Sequence, residues 1–314
     1  MTLSPAALSR ALPSLPFAEY AAHPGVNASL LKAVSESPLH GLAYTQGVGA
    51  EDTYSRQSLR AVHCLALEGE RAFLAAFHVL PPGMTRRGSA WEAHKAFAAQ
   101  TGRVCLTANE AELVTARARA VRRHAVAGRW LADRRRLVER MVVWVDKETG
   151  LVCKGRPDLV VIDWQARHLI VADLKTWKST RARQVSTQIG QQKAHLQLAH
   201  YVAGVIAALT AAGVDMDGWT TEAVVIVVED APPHDVGVYT LSDPPEEGEE
   251  PEPGNRAGEK ARRDALTRWA AALESGSYPG RCPDVERAIL PRWADGAEEE
   301  IGVTIQWEEG LDNA

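Results

Sequence analysis

The spacing of apolar residues divides this chain into two parts near residue 130. In the first part the apolar positions recur every three to four residues, most clearly over residues 54–67, which predicts an amphipathic helix there. A shorter helix is predicted over residues 29–37. Residues 1–130 are therefore expected to be mainly helical.

Two helix starts are marked by a polar residue followed three positions later by glutamate. The sequences SAWE from residue 89 and TANE from residue 107 both match the capping box. In that motif the hydroxyl and the carboxylate each accept a hydrogen bond from a backbone amide that the helix leaves free. Helices are thus predicted over about residues 90–100 and 108–125.

The second part has the pattern of β-strands. Residues 138–145 alternate and are rich in valine, and residues 151–162 and 168–175 form two more apolar runs after short turns. Three successive strands with short connections predict an antiparallel meander.

A helix, two strands and a closing helix follow the meander. Residues 188–209 carry an apolar stripe at helical spacing, residues 222–229 and 236–241 return to the strand pattern, and residues 262–274 are helical again. The order βββ-α-β-β-α predicts an α/β (α+β) fold. A central mixed sheet would be flanked by helices, with the helical N-terminal part as a further layer.

Length and composition are those of an ordinary globular protein. The 314 residues are 46% hydrophobic and 24% charged, which allows one large domain or two small ones, with a substantial core. No apolar run approaches the length of a membrane span, and the first residues lack the pattern of a secretory signal. We therefore expect a cytoplasmic protein without membrane contact.

The net charge of −5 is unevenly distributed. Acidic residues concentrate in residues 242–260, a Pro-, Gly- and Glu-rich segment predicted to be a mobile surface loop, and in a tail over residues 295–314. Arginines concentrate in residues 117–140. A phosphate-binding surface needs local positive charge, so a nucleic-acid enzyme is not excluded. The arginines could equally form a solvated helix face.

The four cysteines are widely scattered and form no CxxC pair. A zinc ribbon, a disulfide framework or a cysteine-ligated cluster is therefore not predicted. Free thiols in a reducing compartment agree with this distribution.

Two aspartates and a lysine in the strand region are candidates for phosphodiester hydrolysis. Asp158 precedes an apolar run, and Asp173 and Lys175 are two positions apart on one strand, so their side chains share a face. Two carboxylates can hold a hard divalent cation such as Mg²⁺, while the ammonium can polarise a phosphate or orient the attacking water. This set predicts a magnesium-dependent phosphodiesterase.

Two helices carry further candidates. Gln197 and Tyr201 are four positions apart on a helix face, where an amide and a ring could contact a phosphate or stack on a base. A solvated polar face is the alternative. His63 lies among apolar residues of the 54–67 helix, where a buried histidine without a functional role is the alternative to a metal ligand.

Taken in order, these residues resemble the PD-(D/E)xK nuclease superfamily in its RecB-like branch. More narrowly, the sequence resembles the RecE (exodeoxyribonuclease VIII)-like exonucleases of phages and prophages. KGRPD at residues 154–158 resembles their second motif, and residues 20–38 and LPRW at residues 290–293 resemble their first and last segments. The resemblance covers about residues 16–294.

The resemblance implies roles for the candidate residues. Asp158, Asp173 and His63 would bind Mg²⁺, for which Mn²⁺ could substitute, and Lys175 would orient the attacking water. Glu139 would be an additional acid in or beside the metal shell.

The same resemblance implies a DNA substrate, with Gln197, Tyr201 and Arg156 contacting it. It implies a single nuclease domain over residues 1–314, in which residues 131–294 form the catalytic core and the helical part carries His63.

The implied activity is exonucleolytic degradation of linear duplex DNA in the 5′-to-3′ direction. The resulting 3′ single strands would pass to a single-strand annealing protein during phage-type recombination, and the enzyme would act as a ring-shaped homo-oligomer. The alternatives are a nicking or Cas4-like end-processing nuclease and an inactive DNA-binding protein of the same fold.

Overall fold

The N-terminal part of the protein is mainly helical, as the apolar spacing predicts, and it also contains two short parallel strands. The computed structural model describes residues 2–48, 52–133, 135–243, 254–282 and 284–290. The chain divides into two units, Met1–Gly280 and Arg281–Ala314, and the described helices and strands lie in the first.

The N-terminal layer is built from nine helices and one pair of strands in the described residues. The helices are α1 (Pro5–Ala11), α2 (Phe17–Ala22), α3 (Ala28–Glu36), α4 (Pro38–Thr45), α5 (Tyr54–His63), α6 (Glu70–Ala76), α7 (Gly88–Gln100), α8 (Ala108–Arg123) and α9 (Ala125–Ala132). A π-helical turn, Cys64–Glu68, continues α5. The parallel strands are β1 (Phe77–Val79) and β2 (Val104–Leu106).

One of the two predicted capping boxes is present. The Thr107 hydroxyl accepts from the amide of Glu110, and the Glu110 carboxylate accepts from the amide of Thr107. The prediction at Ser89 is wrong, because α7 begins at Gly88 and has Arg87 as its cap residue without a side-chain bond. Ser89 therefore lies inside the first turn, where its hydroxyl is not in the cap position.

The C-terminal part contains the central sheet and three more helices. The strands are β3 (Leu137–Val138), β4 (Val142–Val145), β5 (Val152–Gly155), β6 (Leu159–Asp163), β7 (His168–Trp177), β8 (Thr220–Glu229) and β9 (Val236–Thr240), and the helices are α10 (Ala182–Gln191), α11 (Ala194–Ala211) and α12 (Arg256–Ser275). The sheet order is β3-β6-β7-β8-β9, in which only β7 and β8 are parallel. The predicted mixed sheet flanked by helices is confirmed.

The first two strands of the predicted meander are each broken in the middle. Glu139 follows β3 with a φ of 52°, a left-handed conformation that cannot continue an extended strand. The other break falls at Pro157, which has no amide to donate to a sheet. The separated halves β4 and β5 pair with each other in a second sheet.

The predicted helix over residues 188–209 is two helices. Lys193, with a φ of 52°, separates α10 from α11 and ends the first helix. The predicted acidic loop is also shorter than expected, since α12 begins at Arg256 with Asp243 accepting from its first amides. Residues 244–253 of that loop, LPRW from residue 291 onward and the acidic tail lie outside the described residues.

Two apolar clusters join the central sheet to its helices, and a third packs helices together. On one face, Val171 of β7 packs in a cluster with Leu198 and Val205 of α11. On the other face, Leu174 of β7 packs in a cluster with Val114 of α8. A third cluster joins α3 to α12. Alternate residues of β7 thus face helices on both sides.

The helix α11 is 18 residues long and apolar enough to cross a membrane by length and composition. The expectation that no apolar run approaches that length is therefore wrong for this segment. Within the fold, Leu196, Leu198 and Val205 of α11 are fully buried, and the helix contacts β4, β8 and α12. It packs as a core helix.

The arginine-rich run makes several contacts to the backbone. Arg117, Arg136 and Arg140 donate to the carbonyl oxygens of Asp230, Asp133 and Leu12. Arg117 and Arg140 thereby join distant segments of the chain, and the Arg136 contact lies within a local turn. A phosphate-binding surface in this region stays a prediction.

Candidate active site

The two aspartates and the lysine converge where β6 begins beside β7. Antiparallel pairing sets Leu159 of β6 opposite Ala172 of β7, so Asp158 lies next to the Asp173 segment. The amide of Leu174 donates to Oδ2 of Asp158 at 2.7 Å. Lys175 Nζ lies 2.5 Å from Oδ2 of Asp173.

The breaks in the two predicted strands bring Glu139 next to Asp158. The amide of Glu139 donates to the carbonyl oxygen of Asp158 at 3.1 Å. Its carboxylate pairs with Arg156, whose Nε lies 3.0 Å from Oε2. The strand breaks, which the sequence did not predict, therefore place Glu139 in the site as a third acid.

His63 reaches the site from the helical layer. It is the last residue of α5, directly before the π-helical turn, a feature that often accompanies functional sites. Its Nδ1 lies 3.3 Å from Oδ2 of Asp158. The imidazole is thus in contact with the acid group that the sequence predicts as its partner.

His63, Glu139 and Asp158 form a compact group of possible metal donors. One ligand atom from each residue lies within 4.8 Å of the others. Two carboxylates and one imidazole suit a divalent cation; the carboxylates suit Mg²⁺ and Mn²⁺ alike, whereas the imidazole favours the transition ion Mn²⁺. The group includes Glu139 and does not include Asp173. The predicted role of Asp173 as a metal ligand stays a prediction.

The acids of the site repel one another in a poorly solvated environment. Burial, then the charge of Asp158, raises the pKa of Glu139 to about 8. Burial and Asp158 also raise the pKa of Asp173, although Lys175 opposes this. For Asp158, burial is outweighed by His63, Lys175 and the Leu174 amide, and its pKa is lowered. A bound cation would relieve this repulsion.

Lys175 remains charged in this environment. Burial acts to lower its pKa, but Asp173 and Asp158 together raise it above the usual value. The side chain is 19% exposed, against 2% for Asp173. The ammonium is therefore the part of this pair that an external phosphate could reach.

Gln197 and Tyr201 join the site from α11. Gln197 Nε2 donates to Oδ1 of Asp173 at 2.7 Å and to the Tyr201 hydroxyl at 3.2 Å. Tyr201 is buried, and its ring packs against Gly155. Its hydroxyl accepts from Gln197 in the site, and its predicted contact with a DNA strand stays a prediction.

Arg156 lies between Glu139 and the N-terminal helix α2. Its guanidinium carbon lies 5.5 Å from the ring centroid of Phe17, which is 60% exposed. A guanidinium is well suited to bind phosphate. The DNA contact predicted for Arg156 remains a prediction.

Lys32 is a site residue that the sequence did not reveal. It lies on α3 with its Nζ 2.5 Å from Oε1 of Gln197. The only signal is its position directly after Leu31 in the segment that resembles the nuclease family. A contact that spans 165 residues cannot be read from local spacing.

Comparison with known proteins identifies the family. Residues 27–284 match the family described as "PDDEXK-like domain of unknown function (DUF3799)". No curated protein matches the sequence. A crystal structure from Eubacterium rectale, described as "Putative exonuclease", is similar with a TM-score of 0.50 and 11% identity, covering 95% of this chain and 99% of that chain. At this identity the likeness shows the fold alone. Since the family match spans well over half of the sequence, the chain belongs to the PDDEXK-like family DUF3799 and has the fold of the PD-(D/E)xK nucleases.

Proposed function

We propose that this protein is a Mg²⁺-dependent deoxyribonuclease that hydrolyses phosphodiester bonds from the ends of linear duplex DNA. The observation that carries the proposal is the convergence of Asp158, Asp173 and Lys175 with His63 and Glu139. The fold is one used by nucleases, and the donor group suits a divalent cation.

The residues have separate tasks in this reaction. His63, Glu139 and Asp158 would hold the cation, which when bound supplies Lewis-acid stabilisation of negative charge on the phosphate. Lys175, charged and partly exposed, donates to a phosphate oxygen or orients the attacking water. Asp173 holds the ammonium in place, and Arg156 is available to a neighbouring phosphate.

The finer assignment follows from the resemblance to RecE-like exonucleases. It comprises 5′-to-3′ polarity, 3′ single-stranded products, a single-strand annealing partner in phage-type recombination, and a ring-shaped homo-oligomer in the cytoplasm. Mn²⁺ is expected to replace Mg²⁺, since a histidine is among the donors.

Cysteine positions disfavour the Cas4-like alternative within the described residues. Cys64, Cys105, Cys153 and Cys282 are all free, and no group of metal donors in that part of the chain includes a cysteine. A cysteine-ligated cluster therefore has no assembled site there.

Digestion of strand-labelled DNA tests the proposal. Linear duplex labelled at the 5′ or the 3′ end and covalently closed circles are incubated with Mg²⁺ or with EDTA. We expect only linear DNA to be degraded, only with Mg²⁺, and with early loss of the 5′ label. Cutting of circles would indicate an endonuclease, and retarded but intact DNA would indicate a binding protein; either result contradicts the proposal.

A further inference from the structure

A second lysine approaches the site from the N-terminal layer. Lys32 of α3 is half-buried, and its Nζ donates to Oε1 of Gln197 at 2.5 Å. Burial, and next the charge of Lys175, lower the pKa of Lys32 to about 8. The hydrolytic mechanism proposed above assigns no role to the Lys32 ammonium.

Gln197 stands between Lys32 and Asp173. An ammonium only donates hydrogen bonds, so the amide oxygen of Gln197 must face Lys32. The amide nitrogen then points the other way, where it donates to Asp173 at 2.7 Å and to Tyr201 at 3.2 Å. Each polar atom of this amide has a partner, and its orientation is unambiguous.

Asp173 is held at both carboxylate oxygens. Oδ1 accepts from Gln197, and Oδ2 pairs with Lys175. If the amide turned over, its oxygen would face Oδ1, and two acceptors would repel each other in a buried site. The orientation of Gln197 therefore decides whether the Asp173 carboxylate stays aligned with Lys175.

The backbone of Lys32 is fixed relative to α11. Lys193, which precedes α11, donates from Nζ to the carbonyl oxygen of Lys32 at 3.2 Å and to Oγ of Ser35 at 2.5 Å, and it pairs with Glu36. Asn27 caps the start of α3. These contacts anchor α3 beside the helix that carries Gln197.

We propose that Lys32 is a positioning residue of the active site, which sets the orientation of the Gln197 amide and thereby aligns Asp173 with Lys175. The expected effect of Lys32 on the rate of cleavage rests on the proposed nuclease function. The expected effect on the orientation of the Gln197 amide does not. Lys32 acts through Gln197, without touching DNA.

The first test is the kinetics of Lys32→Met, which keeps the chain length and removes the donor. We expect kcat to fall ten- to a hundredfold while KM for DNA changes less than twofold. Lys32→Arg restores at least part of the rate, because a guanidinium also donates to Oε1. Lys260→Met, at an exposed lysine of α12 paired with Asp264, is the matched control and keeps the wild-type rate.

A double-variant cycle tests whether Lys32 acts through Gln197. Gln197→Met removes the group that Lys32 positions, so adding Lys32→Met to it should change the rate less than twofold. If the two losses multiply, Lys32 has a role of its own and the positioning role is overturned.

Salt dependence separates positioning from a phosphate contact. DNA binding is measured in EDTA at several salt concentrations, and the slope of log K against log salt should be equal for wild type and Lys32→Met. A lost phosphate contact would reduce that slope by about 0.9. A reduced slope with an unchanged kcat would overturn the positioning role.

A measurement on the amide itself requires no cleavage. The side-chain amide resonances of Gln197, assigned by their loss in Gln197→Met, should exchange with solvent at least tenfold faster in Lys32→Met. If exchange is faster in Lys32→Met but the wild-type protein cleaves no DNA, the proposed nuclease activity is refuted and the positioning role of Lys32 stands. Unchanged exchange in an active nuclease would refute the positioning role alone.

Discussion

At the scale of single residues, the site brings three carboxyl groups close together, with Lys175 and Arg156 as their paired cations. Asp158, Asp173 and Glu139 interact within a poorly solvated pocket, and the pKa of Glu139 is raised to about 8 by burial and by Asp158. Such a group gains more from a divalent cation than an exposed acidic cluster does. Metal binding should therefore stabilise the folded protein.

The first prediction concerns Glu139 as a ligand. Mg²⁺ or Mn²⁺ at a hundred times its dissociation constant should raise the stability of the wild type by about 2.7 kcal/mol. Glu139→Gln should lose most of this gain, whereas Asp264→Asn on the exposed surface of α12 should keep it. Thermal unfolding with metal and with EDTA measures the effect. An undiminished gain in Glu139→Gln would remove Glu139 from the ligand set.

The second prediction concerns His200, a fully buried histidine whose Nε2 lies 3.1 Å from the carbonyl oxygen of Lys154. Burial lowers its pKa to about 4. In the unfolded chain the group titrates near 6.5, so between these values the unfolded state binds more protons. Stability should thus be lost as the pH falls from 6.5 towards 4.

Replacement by an amide that does not titrate tests this. Between pH 7.5 and pH 5 the wild type should lose about 2 kcal/mol more than His200→Gln. Urea unfolding at the two pH values gives the difference. Parallel losses in both proteins would show that His200 is not held neutral.

At the scale of elements, two helix starts with the same sequence pattern have different structures. Thr107 and Glu110 form a complete capping box, and Glu110 also binds Arg86. Ser89 lies within a first turn and caps nothing. The sequence motif therefore forms a capping box only where its first residue occupies the N-cap position of the helix.

The third prediction follows from that difference. Thr107→Ala should destabilise the protein by about 1 kcal/mol, because an amide of α8 loses its partner. Ser89→Ala should change the stability by less than about 0.5 kcal/mol. Equal losses in denaturant unfolding of the two variants would contradict the assignment of the caps.

Local spacing predicts the type of most elements, and it fails where the backbone turns left-handed. Glu139 and Lys193 have φ values of 52°, which neither composition nor periodicity indicates. Glu139 breaks a strand and thereby enters the metal group, and Lys193 separates α10 from α11. The candidate acids and lysine could be found because strand alternation places Asp173 and Lys175 on one face.

At the scale of the whole molecule, the site depends on contacts between distant segments. His63 comes from the helical layer, Glu139 and Asp158 from the breaks between two sheets, and Lys32 from a helix 165 residues before Gln197. The resemblance to a nuclease family anticipates most members of this group. It does not anticipate Lys32 or the burial of Tyr201, because both depend on packing between layers.

Lys175 provides the most direct test of the central claim that this group cleaves DNA. Rates of release of end label from linear duplex with Mg²⁺ are compared for wild type, Lys175→Met and the exposed-site control Lys260→Met. Loss of a charge-stabilising group in the transition state should slow cleavage roughly a thousandfold, with the control unaffected. Wild-type cleavage by folded Lys175→Met would show that Lys175 takes no part in catalysis.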